Sequence, residues 1–196
     1  PKIFKSTRNI ILASLYSMTV KHYLSEKLYP AICAGLGYSI SSAERGLLIR
    51  LSGYSEKLPI LLDCIAKELK NIPNQIESTV FETYRKQFKK NGYNALINSK
   101  GFNKECRLTI VEEQHDFCSD RFLMIDDVKF EELIDFARDF PNELKIKILM
   151  MGNFNESEAI DATKKLRENL QFKPIIDEKS ILPRCREIPL GTSTLY

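Results

Sequence analysis

One stretch, residues 29–65, restricts the fold of this chain more than any other. It holds two short apolar runs separated by a four-residue turn at 42–45. The first run alternates apolar with small residues, which is typical of a half-buried strand, and the second is denser, which is typical of a strand covered on much of its surface. The stretch therefore predicts a hairpin. Its defining residues are Leu36, Tyr38, Ile40, Gly46, Leu47, Leu48, Ile49, Leu51 and Gly53.

A helix is predicted to follow the hairpin directly. Ser55 is placed to cap this helix, because a serine hydroxyl can accept a hydrogen bond from a free N–H of the first turn. Pro59 falls in that first turn, where a missing N–H costs nothing. Apolar residues then recur at helical spacing as far as Leu69, and the break Asn71-Ile72-Pro73 ends the helix.

Further amphipathic helices are predicted on both sides of this unit, because apolar residues recur every three to four positions between turn signals. The pattern is least clear between residues 94 and 124, where we predict one short and one longer helix. The predicted boundaries, in chain order, are Ser6 or Thr7 to Leu28, Ile76 to Asn91-Gly92, residues 94–124 with a break at 99–102, Asp126 or Asp127 to Pro141, and Asn155 with Glu158 to Leu170.

The clearest strand pattern lies at residues 144–150, where apolar residues alternate with two lysines. A hairpin, several helices, then a strand and a helix predict an α+β fold, in which helices pack on one face of a mostly antiparallel sheet. The segment beyond Phe172 contains three prolines and little periodicity, so we predict an extended tail with a short strand at 185–188.

Charge and cysteine content restrict the partners and the cellular location that we expect for the chain. The formal net charge is +3, and Lys86, Lys89 and Lys90 form one local cluster, interpreted as a solvated helix face; nucleic acid is therefore not an expected partner. No run approaches the roughly 20 apolar residues of a membrane span. Five cysteines occur without a CxxC, and three lie in apolar patterns, which predicts buried free thiols and a cytoplasmic location.

The sequence offers few residues for catalysis. A zinc site needs at least three converging ligands, and the only histidines, His22 and His115, are far apart in the chain. His22 is predicted to lie at the edge of a helix face, and the acids around His115 predict a solvated polar helix face. Cys118 lies three residues after His115, but a thiolate nucleophile also needs an orienting group. We therefore expect no catalytic residue and no metal ligand in this chain.

Several segments in the same order carry a family resemblance: AGLGYSI, ERGLLIRLSGYSEKLPILL, MIDDVKFEELIDFARDF, ILMMGNFNESEA, and LQFKPI with REIPLG. They resemble the third domain of the pitrilysin-type (M16) metallopeptidases, and within that family the nardilysin branch more than the insulin-degrading branch. The residues that match the family pattern, with structural roles, are Gly35, Tyr38, Gly46, Gly53, Tyr54, Pro59, Asp127, Gly152 and Asn153.

The resemblance implies a non-catalytic domain over residues 1–175 and an extended linker towards a following domain over 176–196. Zinc, an HxxEH motif and a downstream glutamate are expected in a different domain of the parent enzyme, and none of these maps onto this chain. The implied partners are the other domains, which together enclose peptide substrates. A homodimer is a further possible assembly. One departure is that residues 1–5 keep only a stub of the edge strand with which the family domain opens.

Two other hypotheses remain from the residues alone. In the first, the chain is a stand-alone truncated paralogue that binds peptides or proteins without cleaving them. In the second, it is an independent enzyme that uses Cys118 or the His115 cluster. An open reading frame that continues on both sides separates the first of these from a domain of a larger enzyme.

Overall fold

The computed structural model describes residues 6–43, 46–113, 115–174, 184–188 and 191. Helices make up 66% of the residues that the structure describes, and the sheets among them have two strands each, so the prediction of a mostly antiparallel sheet is wrong. In chain order the elements are α1 (Thr7–Lys27), α2 (Tyr29–Cys33), β1 (Gly37–Ala43), β2 (Gly46–Ser52), α3 (Leu58–Asn71), α4 (Ser78–Ile97), α5 (Ser99–Val111), α6 (Cys118–Met124), α7 (Phe130–Asp139), β3 (Glu143–Leu144), α8 (Glu156–Leu170) and β4 (Lys173–Pro174).

Helix α1 is the centre of the core, because it contacts both strands of the hairpin and helices α3, α4, α6 and α7. Its start is confirmed, since the Ser6 hydroxyl accepts a hydrogen bond from the Asn9 N–H at 3.3 Å. A helix that is surrounded by other elements is apolar on most of its faces, and the buried residues of α1 are spread around the helix in this way. Its fully buried residues include Ile11, Leu15, Tyr16, Val20 and Leu24.

The predicted hairpin is confirmed, but its turn is shorter than predicted. Strands β1 and β2 pair antiparallel with Gly37 opposite Ser52 and Ala43 opposite Gly46. Ser42 and Ala43 therefore belong to the ladder, and only residues 44 and 45, which lie outside the described residues, separate the strands. Ile40 is the buried residue of β1, and β1 packs on α1.

Helix α3 begins with Pro59 in its first turn, as predicted, but Ser55 does not cap it. The carbonyl oxygen of Tyr54 accepts hydrogen bonds from the N–H groups of Lys57 and Leu58 instead. A backbone carbonyl thus supplies the acceptor expected from a side chain. The buried face of α3 packs on α1 and on α8, which links the hairpin to the last helix.

The strand predicted at 144–150 is mostly wrong. Only Glu143–Leu144 forms a strand, and it pairs in parallel with Lys173–Pro174. A strand requires a neighbour for its N–H and C=O groups, and residues 145–150 find no such ladder among the described residues. The alternating pattern at 145–150 is therefore not accompanied by a strand among the described residues. Leu149 and Met151 are 84% and 80% exposed.

The tail described at 184–188 returns to the end of α5. Cys185 forms a single antiparallel bridge with Glu112, so the strand predicted at 185–188 is reduced to one residue pair. Two backbone hydrogen bonds flank it: the Glu113 N–H donates to the Arg184 carbonyl at 3.0 Å, and the Arg186 N–H donates to the Val111 carbonyl at 2.7 Å.

Several helix boundaries differ from the predictions. Helix α4 does not end at Asn91-Gly92 but runs through Gly92 to Ile97, and the predicted break at 99–102 lies inside α5. The helix continues because α6 packs against it at Gly92, where the Phe122 ring would lie 3.4 Å from an added Cβ. The Asn98 side chain then accepts from the Gly101 N–H and begins α5.

The start of α7 was also misplaced. Lys129, rather than Asp126 or Asp127, is its N-cap residue, and the Glu132 carboxylate accepts a hydrogen bond from the Lys129 N–H at 2.9 Å. The capping box predicted at Asn155 and Glu158 is confirmed in both directions, at 2.8 and 3.0 Å.

The five cysteines are free thiols, but the prediction that three are buried is wrong. Cys118 is buried, Cys106 is half-buried, and Cys33, Cys64 and Cys185 are exposed. Cys33 and Cys64 have apolar neighbours in sequence, but their side chains are exposed because they lie on the outward sides of α2 and α3. Among the described residues, no helix is both long and apolar enough to cross a membrane.

Candidate functional site

The base of the hairpin brings together three residues of the family pattern. Gly35 has φ +86°, and a Cβ added to Gly35 would lie 3.6 Å from the Tyr54 ring. Gly53 has φ +138°, and a Cβ there would lie 2.5 Å from Leu36 Cδ2 and 3.2 Å from Leu36 Cα. Positive φ and close approach both favour glycine, so these positions are restricted by backbone geometry. The chemistry available here is packing, not proton transfer.

The other family-pattern residues lie along the same unit or outside it. Tyr38 lies opposite Leu51 in the hairpin, where burial raises the pKa of its hydroxyl, and Gly46 begins β2. Asp127 precedes α7, and its carbonyl accepts a hydrogen bond from the Arg8 guanidinium at 2.8 Å. Gly152 and Asn153 form the exposed turn before α8. Their structural roles stay predictions, and none of them faces a partner that would activate it chemically.

A dense polar cluster lies between α5 and α6. The His115 side chain is only 10% exposed, so the prediction of a solvated helix face is wrong. Its Nδ1 lies 2.8 Å from the Glu112 carboxylate and its Nε2 lies 3.3 Å from the Glu105 carboxylate. A neutral imidazole carries one N–H and donates to one of these acids at a time. Arg121 completes the cluster at 3.2 Å from Glu105.

The electrostatics of this cluster argue against nucleophilic catalysis. Burial raises the pKa of the Cys118 thiol, and the Glu105 charge raises it further. A protonated thiol is a poor nucleophile. Burial also raises the pKa of Asp116, although a hydrogen bond with Thr7 and the charge of Arg121 oppose the rise. The arrangement ties α5, α6 and the start of α1 together.

The structure does not bring the two histidines together. His22 is exposed on α1, where its Nδ1 lies 3.2 Å from the Tyr84 hydroxyl and its ring stacks edge-on against Tyr23 and Tyr84. Within the part of the chain that the structure describes, no group of three or more His, Cys, Asp or Glu side chains is placed to hold a metal ion. These residues therefore do not fit a zinc site.

A shallow depression of about 530 Å³ lies where α4 meets the start of α7. Its lining mixes charges of both signs, including Arg85, Asp126 and Lys129, around the buried ring of Phe81. Beside it, the Arg8 guanidinium pairs with the Glu132 carboxylate at 2.9 Å. Four carboxylates and two cations line the depression, so its lining carries a net charge of −2, and one of the carboxylates, Glu82, pairs with Arg85 at 2.8 Å.

Sequence reasoning missed the pairs that hold these neighbourhoods together. Arg8 and Glu132 are 124 positions apart, and Arg121 and Glu105 are 16 apart. Neither pair belongs to a local motif, so spacing gave no signal for them. The one available signal was Glu132 itself, three residues after Lys129, in the position of a capping glutamate.

Comparison with known proteins places the chain in a family. Residues 1–122 match the sequence pattern described as the middle or third domain of peptidase M16. Nardilysin of Homo sapiens is 31% identical over 192 residues, which is 97% of this chain and 16% of nardilysin. A Schizosaccharomyces pombe protein named as a candidate zinc protease is 26% identical, covering 100% of this chain and 20% of its own length. The chain thus spans about a sixth to a fifth of these relatives.

The fold is also similar to that of a solved protein structure. The crystal structure of pitrilysin superposes with a TM-score of 0.72 at 15% identity, over 88% of this chain and 18% of pitrilysin. At that identity the likeness concerns the fold alone. The family match covers more than half of the chain, and the resemblance to nardilysin extends over nearly all of it. The chain therefore belongs to the M16 peptidase family, in which it corresponds to the middle or third domain.

Proposed function

We propose that this chain is a non-catalytic domain of a zinc metalloendopeptidase similar to nardilysin and insulin-degrading enzyme, and that it helps form the chamber that encloses peptide substrates. The observation that carries the proposal is the match of residues 1–122 to the middle or third domain of the family. In such an enzyme the domain contributes geometry: it excludes bulk water and large proteins from the reacting peptide.

The expected zinc belongs to another domain of the parent enzyme. Support comes from the donor chemistry of this chain, since the described His, Cys, Asp and Glu side chains do not converge on a common point. His115, the more enclosed of the two histidines, already lies within hydrogen-bond distance of two carboxylates. Zinc bound in that other domain would polarise the scissile carbonyl, and the role proposed for this chain is to shape the chamber around the peptide.

The first test measures metal and activity on the isolated chain. We expect no stoichiometric zinc after equilibration with the metal and no cleavage of a fluorogenic peptide that contains basic residues. His115→Ala and the exposed control His22→Ala should both leave these results unchanged. Stoichiometric zinc that is lost in His115→Ala but kept in His22→Ala would contradict the proposal.

The second test uses the parent enzyme. Gly53→Val introduces a side chain where even a Cβ lies 2.5 Å from Leu36, and so it distorts the base of the hairpin. In the full-length protein we expect peptidase activity to fall while zinc content stays at the wild-type level, because the damage is remote from the metal. Gly101→Ala, in α5, serves as the control, and we expect it to keep both the peptidase activity and the zinc content of the wild type.

Three further parts of the proposal are open to simple observations. We propose that residues 176–196 link this domain, residues 1–175, to a following one, and that the protein resides in the cytoplasm, which the exposed free thiols of Cys33, Cys64 and Cys185 support. We also propose that peptides and, in a homodimer, a second copy are partners. A transcript that ends on both sides of this chain would instead favour the stand-alone binding module.

A further inference from the structure

Residues 83–104 form the most asymmetric stretch of charge in the chain. They contain Arg85, Lys86, Lys89, Lys90, Lys100 and Lys104 and no aspartate or glutamate, so they carry six positive charges in a chain whose net charge is +3. The rest of the chain is therefore net negative, at +3 minus +6, or −3. This stretch covers the last three quarters of α4 and the start of α5.

The side chains of α4 separate by face. Phe81 and Phe88 point to the core, whereas Lys86, Lys90, Tyr93 and Ile97 are exposed. The exposed four recur at spacings of four, three and four, which places them on a single side of the helix. We call them the α4 stripe. Tyr93 is 55% exposed and Ile97 is 66% exposed, so half of the stripe is apolar and open to solvent.

The two lysines of the α4 stripe differ from the neighbouring cations of the helix. Arg85 pairs with Glu82, and Lys89 pairs with Asp126. Lys86 and Lys90 form no ion pair with any residue that the structure describes. Their charges are not neutralised on this face, and the lysines and arginine exposed on α5 add to the same positive field.

The apolar half of the α4 stripe is backed by α6. The Tyr93 ring lies 6.4 Å from the Phe122 ring, and Gly92 lets Phe122 approach the helix backbone. The Lys89 ammonium also lies over the Phe122 ring, 5.8 Å from its centroid. Tyr93 is thus held from behind while its outer face stays open, which lowers the entropy lost when a partner covers it.

We propose that the α4 stripe is a docking surface for an acidic, amphipathic polypeptide segment. Carboxylates one helical turn apart would face Lys86 and Lys90, and an apolar side chain further along would cover Tyr93 and Ile97. Charge complementarity selects this occupant, and the apolar half argues against a nucleic acid backbone, whose phosphates would leave Ile97 without a partner. This role is independent of any part in peptide hydrolysis.

The test measures binding of a designed probe to the 196-residue chain. The probe is a fluorescein-labelled helical peptide with glutamates one turn apart followed by leucines, and its comparison is the same composition in scrambled order. By fluorescence anisotropy we expect the ordered peptide to bind more tightly than the scrambled one. Lys86→Glu with Lys90→Glu should weaken binding about tenfold or more, and added salt should weaken it as well.

Matched variants on α8 provide the controls. Lys164→Glu with Lys165→Glu reverses two exposed charges elsewhere and should change binding less than about twofold, because it lies outside the stripe. Ile97→Ser should weaken binding, whereas Ile160→Ser, another exposed isoleucine, should not. Equal binding of ordered and scrambled peptides would overturn the proposal. So would stronger binding to a DNA oligonucleotide, to phosphatidylserine vesicles or to a second copy of the chain.

Discussion

At the scale of single residues, Gly53 is a position where backbone geometry and packing coincide. Gly53→Ala should destabilise the chain by about 1–3 kcal/mol, since φ is +138° and the new Cβ would overlap Leu36. Gly101→Ala, in α5 with its Cβ position 3.6 Å from the nearest atom, should be neutral or stabilise by up to about 1 kcal/mol. Urea unfolding followed by circular dichroism compares the two, and equal stability of both variants would refute the argument.

Tyr16 satisfies a carbonyl that its own helix leaves free. In α3 the Leu69 carbonyl would receive the N–H of residue 73, but that residue is a proline and has none. The buried Tyr16 hydroxyl donates to this carbonyl at 3.3 Å. Tyr16→Phe should therefore cost about 1–3 kcal/mol, because a buried acceptor loses its partner.

Tyr16 also predicts an alkaline limit to stability. Burial raises the pKa of its hydroxyl above the ordinary value of 10. The folded chain then holds a proton that the unfolded chain releases, so this contribution is present below about pH 10 and is lost as the pH rises further. Unfolding midpoints measured from pH 8 to pH 11 should fall less steeply in Tyr16→Phe than in wild type.

At the scale of elements, one ion pair connects the first helix to the seventh. Hydrogen bonds from Arg8 lower the pKa of Glu132, and burial only partly opposes this. A lowered pKa in the fold means that the contribution is present above the unfolded value of about 4.3 and is lost as the pH falls. Glu132→Gln should therefore flatten the dependence of stability on pH between neutral and acid conditions.

The control for Glu132 is an ion pair that joins no elements. Asp161 and Lys164 are both well exposed on α8 and lie 3.5 Å apart. Exposed pairs of this kind contribute little, so Asp161→Asn should keep the wild-type acid profile. If Asp161→Asn and Glu132→Gln gave the same profile, the connection between α1 and α7 would not be the cause.

At the scale of the whole molecule, residues 147–151 present apolar side chains and form no strand ladder with any residue that the structure describes. An open apolar segment of this kind favours association between chains. Leu149→Lys with Met151→Lys should reduce self-association of the isolated chain, with stability changed by no more than about 0.5 kcal/mol, because both side chains are exposed. Light scattering over a concentration series measures it, and Ile160→Lys on α8 should leave the association unchanged.

The part of the fold that was predictable came from local chemistry. The start of α1 at Ser6, the hairpin, Pro59 in the first turn of α3 and the capping box at Asn155 each depend on residues within a few positions of one another. The failures involve distant partners. Residues 145–150 have the pattern of a strand without a described neighbour to pair with, and α4 runs through Gly92 because Phe122 packs there.

The sequence by itself determined the family, since the segments that carry it are read directly from residue order, and the match to the middle or third domain of M16 confirms it. It also determined that chemistry-bearing residues are sparse. Only the tertiary structure decided that His115 is enclosed by Glu105 and Glu112, that Arg8 meets Glu132 across 124 positions, and that Lys86 and Lys90 lie beside open apolar side chains. Periodicity reports which side of an element a residue occupies, whereas the identity of its neighbour depends on how distant elements pack.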